Sequence, residues 1–308
     1  MLEPILSITG LTLLYTSSLN SWSTSLNLLV LYLAWTSLLL THSPLRIELF
    51  GTIITRVIFF WIPALFLSAL DILLPSISAE WKIRTGGTLR FDVRAGEMFA
   101  VAMGNMILSV GLQGGMEWIL TEVMGRKSML RVSGRVPLPW ELVWDLVRGV
   151  VLREILQYYT HRYLHSNASL YRKQHTSWQH SSPLILTPVL AHYDHPLPYL
   201  LYRFIPLYAP AAIFRFHAIT YYIFLAVVSM EEVFLHTGFK RLFFSGLLSG
   251  AGRRNAGHFF TRGKVNYSAW GVLDWVHGTG GAKIDAKKSW KEVKERGAWQ
   301  RGASRGRK

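Results

Sequence analysis

The chain has no cysteine. That absence excludes disulfides, cysteine-ligated zinc, iron–sulfur clusters and thiolate-ligated haem together, so any metal must be held by nitrogen and oxygen. Charge is sparse as well. Only 17% of the 308 residues are charged against 50% hydrophobic, with a mean hydropathy of +0.24, which is too apolar for an ordinary soluble enzyme. Nucleotide signatures are missing too: Gly278-Thr279-Gly280-Gly281-Ala282-Lys283 is neither a GxGxxG turn nor a phosphate loop, so no site for NAD, flavin or another bound organic cofactor is expected. Acids are the scarcer sign, 18 Asp and Glu against 33 Lys and Arg. Ten of the basic residues fall in 281–308, from Lys283 to Lys308, beside Asp285, Glu292 and Glu295. Under the positive-inside rule this tail is expected to be a disordered cytosolic end that touches anionic headgroups, and nucleic acid is not an expected partner.

What the chain does have is long apolar runs. Residues 22–40 carry no charge and match the roughly 20 residues that a bilayer-spanning helix needs. The run Ile53–Leu74 holds Arg56 and Asp71 near its ends, where a charge can reach the interface. Residues 4–19 lack the positive start of a secretory signal and read as an anchor or first helix. Phe99–Leu120 is apolar up to Gln113 and Glu117, and basic flanks on both sides leave its orientation open. Pro137–Leu164 mixes apolar residues at helical spacing with Glu141, Asp145, Arg148, Arg153 and Glu154, the pattern of an amphipathic helix against a membrane or a core. The stretches 197–215 and 218–235, marked by Arg203, Pro206, Pro210 and Arg215, predict a helical hairpin that need not cross completely. The expected fold is therefore all-α, a multi-pass membrane helical bundle.

Seven of eleven histidines, at His161, His165, His175, His180, His192, His195 and His217, crowd one stretch of this apolar chain. Imidazole is the commonest nitrogen ligand for transition metals, so such crowding points to a metal site. His161 and His165, four apart, share one face of a helix a turn apart. The glutamate that follows the first histidine in zinc peptidases is absent, which argues against peptidase chemistry. His175 and His180 are five apart and can share a metal only if the helix bends or ends between them, and Ser181, Ser182 and Pro183 favour an ending. His236 reads either as a ligand or as a partner for a helix C-terminus, Glu231 and Glu232 as membrane-end charges or substitute oxygen ligands, and His217 as a core or interface residue. His42 and His277 are bystanders in this reading.

Taken in order, these elements resemble the membrane fatty acid hydroxylase and sterol desaturase superfamily. The matching text is Tyr158-Tyr159-Thr160-His161-Arg162-Tyr163-Leu164-His165, Leu170-Tyr171-Arg172-Lys173-Gln174-His175, Tyr193-Asp194-His195-Pro196, His236-Thr237-Gly238-Phe239, Asn266-Tyr267 and Leu273-Asp274-Trp275-Val276-His277-Gly278-Thr279. The resemblance covers 137–280 and implies N-terminal membrane helices over 1–136, a hydroxylase-like catalytic domain over 137–280 and the basic tail over 281–308. It implies a non-haem di-iron centre on the cytosolic face of the endoplasmic reticulum membrane that uses O₂ to hydroxylate or desaturate a lipid, sterol or hydrophobic secondary metabolite. Electrons would come from an external donor, a reductase or cytochrome b5. His161 and His165 are the catalytic candidates. Iron ligands would be His161, His165, His175, His180, His195, His236 and His258, with His192 able to replace one, and Asn266, Asp274 and Glu154 would hydrogen-bond around them. Two boxes depart from the pattern. Trp178-Gln179-His180 keeps one histidine where the family has a pair, and Arg253-Arg254-Asn255-Ala256-Gly257-His258 keeps one where two pairs are usual. A member that has lost di-iron chemistry, binding lipid or catalysing a non-oxidative isomerisation or cyclisation, is the alternative that these departures raise.

Overall fold

A computed structural model describes residues 22–82, 89, 93–167, 169, 174–180, 186–239 and 245–281. The anchor expected over 4–19 and the tail beyond Gly281 lie outside the described residues. Within them the fold is all-α. There is no strand, and extended pairing is limited to the isolated bridges Lys82–Phe239 and Arg131–His217.

Three helices are long and apolar enough to cross a membrane: Pro44–Leu73, Arg94–Val123 and Ala218–His236, with mean hydropathies of 2.1, 1.4 and 1.6. Helix α1, Trp22–Thr41, forms where the uncharged run predicted it, and its side chains from Leu29 to Leu33 are largely exposed. The last of the three covers 218–235, one arm of the hairpin that need not cross completely, and is by length and composition sufficient to cross. The prolines and arginines that marked the hairpin all precede Ala218, so the helix itself is uninterrupted.

Two π-turns follow from proline. Pro63 and Pro206 lack an N–H and would clash with the carbonyl four residues earlier, at Phe59 and Tyr202, in a regular helix. The chain answers with wide turns at Val57–Trp61 and Leu200–Phe204. The second matters for the site, because it sets the directions of Tyr202 and Arg203.

Helix α2, Pro139–Ser166, is polar toward the protein and apolar outward. Trp140, Val143, Trp144, Val147 and Val151 form an exposed stripe at three- and four-residue spacing, while Asp145, Arg153, Glu154, Gln157 and His161 are buried. In water that arrangement would be inverted. Against lipid it is the stable one, since tails solvate the stripe and the buried polar groups find partners inside.

The chain forms two compact units that interleave along the sequence, one of residues up to Phe59 with Ile107–Arg153 and Pro206–Val228, the other of Phe60–Met106, Glu154–Ile205 and residues from Ser229 onward. The first packs Trp35, Ile47 and Ala218 with Val132 and Tyr222. Gly51 lies so close to Tyr222 that a Cβ there would stand 2.2 Å from its Cζ. This unit also buries a polar network. Gln113 Nε2 donates to Glu48 Oε1 (2.7 Å), and the Tyr208 hydroxyl reaches both Glu48 Oε1 (3.3 Å) and Glu117 Oε1 (3.0 Å). The Met129 amide also donates to Glu117 Oε1 (2.8 Å).

The second unit packs Phe60, Trp61, Ala64 and Leu67 against Ala102, Met106, Val189, Ala191 and Val233. Asp71 does not reach an interface as the sequence suggested. The short helix Pro75–Trp81 turns back, so that Ser78 and Lys82 hydrogen-bond its buried carboxylate. Arg56, the other charge expected at an interface, is buried in the first unit.

Glu48→Leu is expected to destabilise the detergent-solubilised protein by about 1–3 kcal/mol, because it removes the short acceptor of the buried Gln113 amide and leaves it only the longer contact to Thr52 Oγ1 (3.4 Å). Glu48→Gln keeps an acceptor oxygen and should cost less. Equal melting temperatures for the two variants would show that the network contributes nothing.

Candidate metal centre

Four histidines from three parts of the second unit meet at one place. One ligand atom each from His161, His165, His175 and His258 lies within 4.8 Å of every other. Ring centroids are 4.8 Å apart for His161–His165, 4.5 Å for His161–His258 and 4.9 Å for both His165–His175 and His165–His258. His180 joins the group, with its ring 5.0 Å from those of His175 and His258. The helical segment Thr176–Trp178 ends before it, which resolves the five-residue spacing.

Three of the ligands are oriented from behind. His161 Nδ1 donates to the Tyr267 carbonyl (2.9 Å), His258 Nδ1 to the Val265 carbonyl (2.8 Å) and His175 Nδ1 to Asp194 Oδ2 (2.6 Å). Fixing the proton on Nδ1 leaves a lone pair on Nε2 in all three. His175 Nε2 and His258 Nε2 are buried with no hydrogen-bond partner, and His161 Nε2 faces His165 Nε2 at 3.2 Å. Burial favours the neutral form of His161, His165, His180 and His258. It pushes His161, His165 and His180 well below the ordinary histidine range, neighbouring imidazoles adding to it, and lowers His258 to about 4. Buried acceptors facing one another without a donor are costly alone, and a cation relieves the cost. The donor set, nitrogen without thiolate, suits iron, zinc or copper and not calcium or magnesium. These residues fit one metal ion.

The strap after His258 is built to supply the two carbonyls. Asn266 adopts a left-handed conformation (φ 59°), its amide donates to the Thr279 carbonyl and its Oδ1 accepts from Gly281. Asp274 accepts from the Tyr267 and Ser268 amides (both 2.9 Å) and from the Thr279 hydroxyl (2.7 Å). Asn266 and Asp274 therefore hold the backbone that holds the histidines. Glu154 Oε1 accepts from the Trp270 amide (3.1 Å) and pins the same strap. Gly263 (φ 76°) leaves the room His165 needs, since a Cβ there would lie 1.9 Å from the His165 Cε1.

Three candidate ligands stand apart from this group. His195 caps the turn Pro196–Tyr199, its Nδ1 accepting from the Leu197 amide (3.3 Å). His192 sits between Tyr199 and Glu232, Nδ1 to the Tyr199 hydroxyl at 3.1 Å and Nε2 to Glu232 Oε2 at 3.3 Å. His236 Nδ1 donates to the Glu232 carbonyl (2.7 Å), and its Nε2 accepts from Arg203 Nη2 (2.9 Å). His277, a bystander in the sequence reading, stacks on Tyr158 and takes the Tyr159 hydroxyl at 2.9 Å, and His217, expected as a core or interface residue, is buried in the first unit and bonds the Ser133 carbonyl.

The sequence reading missed Asp194, Tyr202 and Arg203 as site residues. Asp194 carried a signal, a carboxylate next to His195 within a matched element. Tyr202 stacks on His161 (centroids 4.8 Å, interplanar 17°) with the Arg203 guanidinium 4.9 Å from its ring. An arginine inside an aromatic apolar run was the available sign.

Asp194→Asn is expected to weaken metal binding by roughly 10–100-fold, because the Asp194 carboxylate fixes the His175 tautomer and ring direction. Competition titration against a chelator of known affinity measures it, and an unchanged affinity would remove Asp194 from the site.

With this geometry in place, residues 146–279 match the family model described as fatty acid hydroxylase. No solved structure matches the chain.

Proposed function

We propose, from the match of residues 146–279 to the fatty acid hydroxylase family model, that this protein is a member of the membrane fatty acid hydroxylase and sterol desaturase superfamily, an iron-dependent membrane oxidoreductase that uses O₂ to hydroxylate or desaturate a lipid, sterol or hydrophobic secondary metabolite. The observation that carries the reading is the convergence of four imidazoles, three of them buried with their Nδ1 protons already committed. His161, His165, His175 and His258 would hold the metal, with His180 beside them.

Bound there, iron supplies the oxidising power for an unactivated C–H bond, chemistry that no side chain provides. The balance for hydroxylation is R–H + O₂ + 2e⁻ + 2H⁺ → R–OH + H₂O. The chain offers no nucleotide or haem signature, so the electrons come from an external donor, cytochrome b5 or a reductase. Its own residues position and insulate. Asp194 and the Val265 and Tyr267 carbonyls hold the ligands at fixed tautomer, and Tyr202 and Tyr267 pack against the His161 ring. The lipid-facing helices Pro44–Leu73, Arg94–Val123 and Ala218–His236 support a substrate drawn from the bilayer. With the basic tail held on the positive side, the metal site and tail face the cytosol at the endoplasmic reticulum membrane.

The test is comparative lipid and metabolite profiling by mass spectrometry of cells with and without the protein, followed by reconstitution with and without O₂. Product should require O₂, and His161→Ala or His165→Ala should lower its formation at least 100-fold while the protein still accumulates in the membrane. Product formed at equal rates under anaerobic conditions would replace this reading with a non-oxidative one.

A further inference from the structure

Arg203 lies against a buried group of His192, Glu232 and His236. His236 is fully buried, and its tautomer is settled by two contacts. Nδ1 donates to the Glu232 carbonyl (2.7 Å), so the Nε2 lone pair is the only one it can offer a metal. That lone pair accepts from Arg203 Nη2 at 2.9 Å. Arg203 Nη1 lies 3.9 Å from Glu232 Oε1, and the other Glu232 oxygen lies 3.3 Å from His192 Nε2. His192, Glu232 and His236 thus present two imidazoles and a carboxylate to a common neighbourhood, a donor set a transition metal would accept. Its cation is already there, bonded covalently to the chain.

A guanidinium is not a placeholder that metal readily displaces. It keeps its proton at any physiological pH, has no lone pair to offer, and is held on both sides by buried partners. The π-turn at Leu200–Phe204, forced by Pro206, fixes the direction from which it enters. His195, the remaining histidine expected as a ligand, is committed to capping Pro196–Tyr199.

Resting on the reading of His161, His165, His175 and His258 as the metal-holding group, we infer that this protein binds one metal ion per chain where its family implies two, with the Arg203 guanidinium taking the electrostatic place of the second. The departures in the histidine boxes then have a structural counterpart. The chain keeps a complete set for one ion and has converted the other half of the site into a closed Arg203–Glu232–His236–His192 network.

The experiment is metal counting on the full-length protein, purified in detergent, loaded anaerobically with ferrous iron and freed of excess by gel filtration. Mass-spectrometric metal analysis should give one iron per chain. Electron paramagnetic resonance after oxidation should show an isolated high-spin ferric ion and not a spin-coupled pair. His161→Ala should reduce bound iron to less than a tenth, whereas His236→Gln should leave it at one. Two irons per chain, or a coupled pair, would overturn the inference and leave the iron reading intact. No iron bound would overturn both. The count on the unmodified protein decides the matter even where a variant fails to fold.

Discussion

Buried imidazole lone pairs brought to one place, those of His175 and His258 with no hydrogen-bond partner, are the constraint on which the second unit turns. An unpartnered acceptor in a protein interior costs about 1–3 kcal/mol, and here at least two Nε2 atoms, of His175 and His258, are in that state while His161 faces His165. Nothing in a protein accumulates such a cost by packing alone. The surrounding bonds explain why the rings cannot turn away to relieve it. A carboxylate and two carbonyls hold each Nδ1 proton, and those acceptors are themselves held, Asp194 by the His195 amide and the strap by Asn266 and Asp274. The energy that keeps the ligands aimed therefore comes from ordinary hydrogen bonds several residues away, and a cation recovers what the lone pairs cost.

The same logic runs through the membrane-facing parts on a different currency of partners. In a bilayer a polar side chain cannot be satisfied by water, so Glu48, Gln113, Glu117 and Tyr208 bond one another inside the first unit, and Asp71 finds Lys82 and Ser78 inside the second. Helix α2 carries both requirements at once. Its tryptophan and valine stripe belongs to the lipid, and its opposite face ends in His161 and His165.

Much of this was legible before any coordinates. The uncharged runs marked the helices, and the four-residue spacing of His161 and His165 put two imidazoles on one face. The ordered elements from Tyr158 to Thr279 led to the family. What could not be read was the direction of single side chains across long separations. His180 lies in the group because a helical segment ends at Trp178, and His195 lies outside it because its ring is used as a cap. Asp71 and Arg56 looked like interfacial charges because sequence shows distance from a run's end but not a returning helix. Arg203 looked like an interruption in an apolar stretch for a similar reason: its partners, Glu232 and His236, come from a helix that begins fifteen residues later.

The exchange of a metal for a guanidinium has a chemical consequence that goes beyond counting. A fixed cation can neutralise Glu232, hold His236 and tune the field at the neighbouring ligands through Tyr202, but it cannot change its oxidation state. Two irons can store two electrons between them before O₂ arrives. One iron with an arginine beside it would store fewer, and since hydroxylation and desaturation each consume O₂ and two donor electrons, the external donor would have to deliver the remainder during turnover in either case.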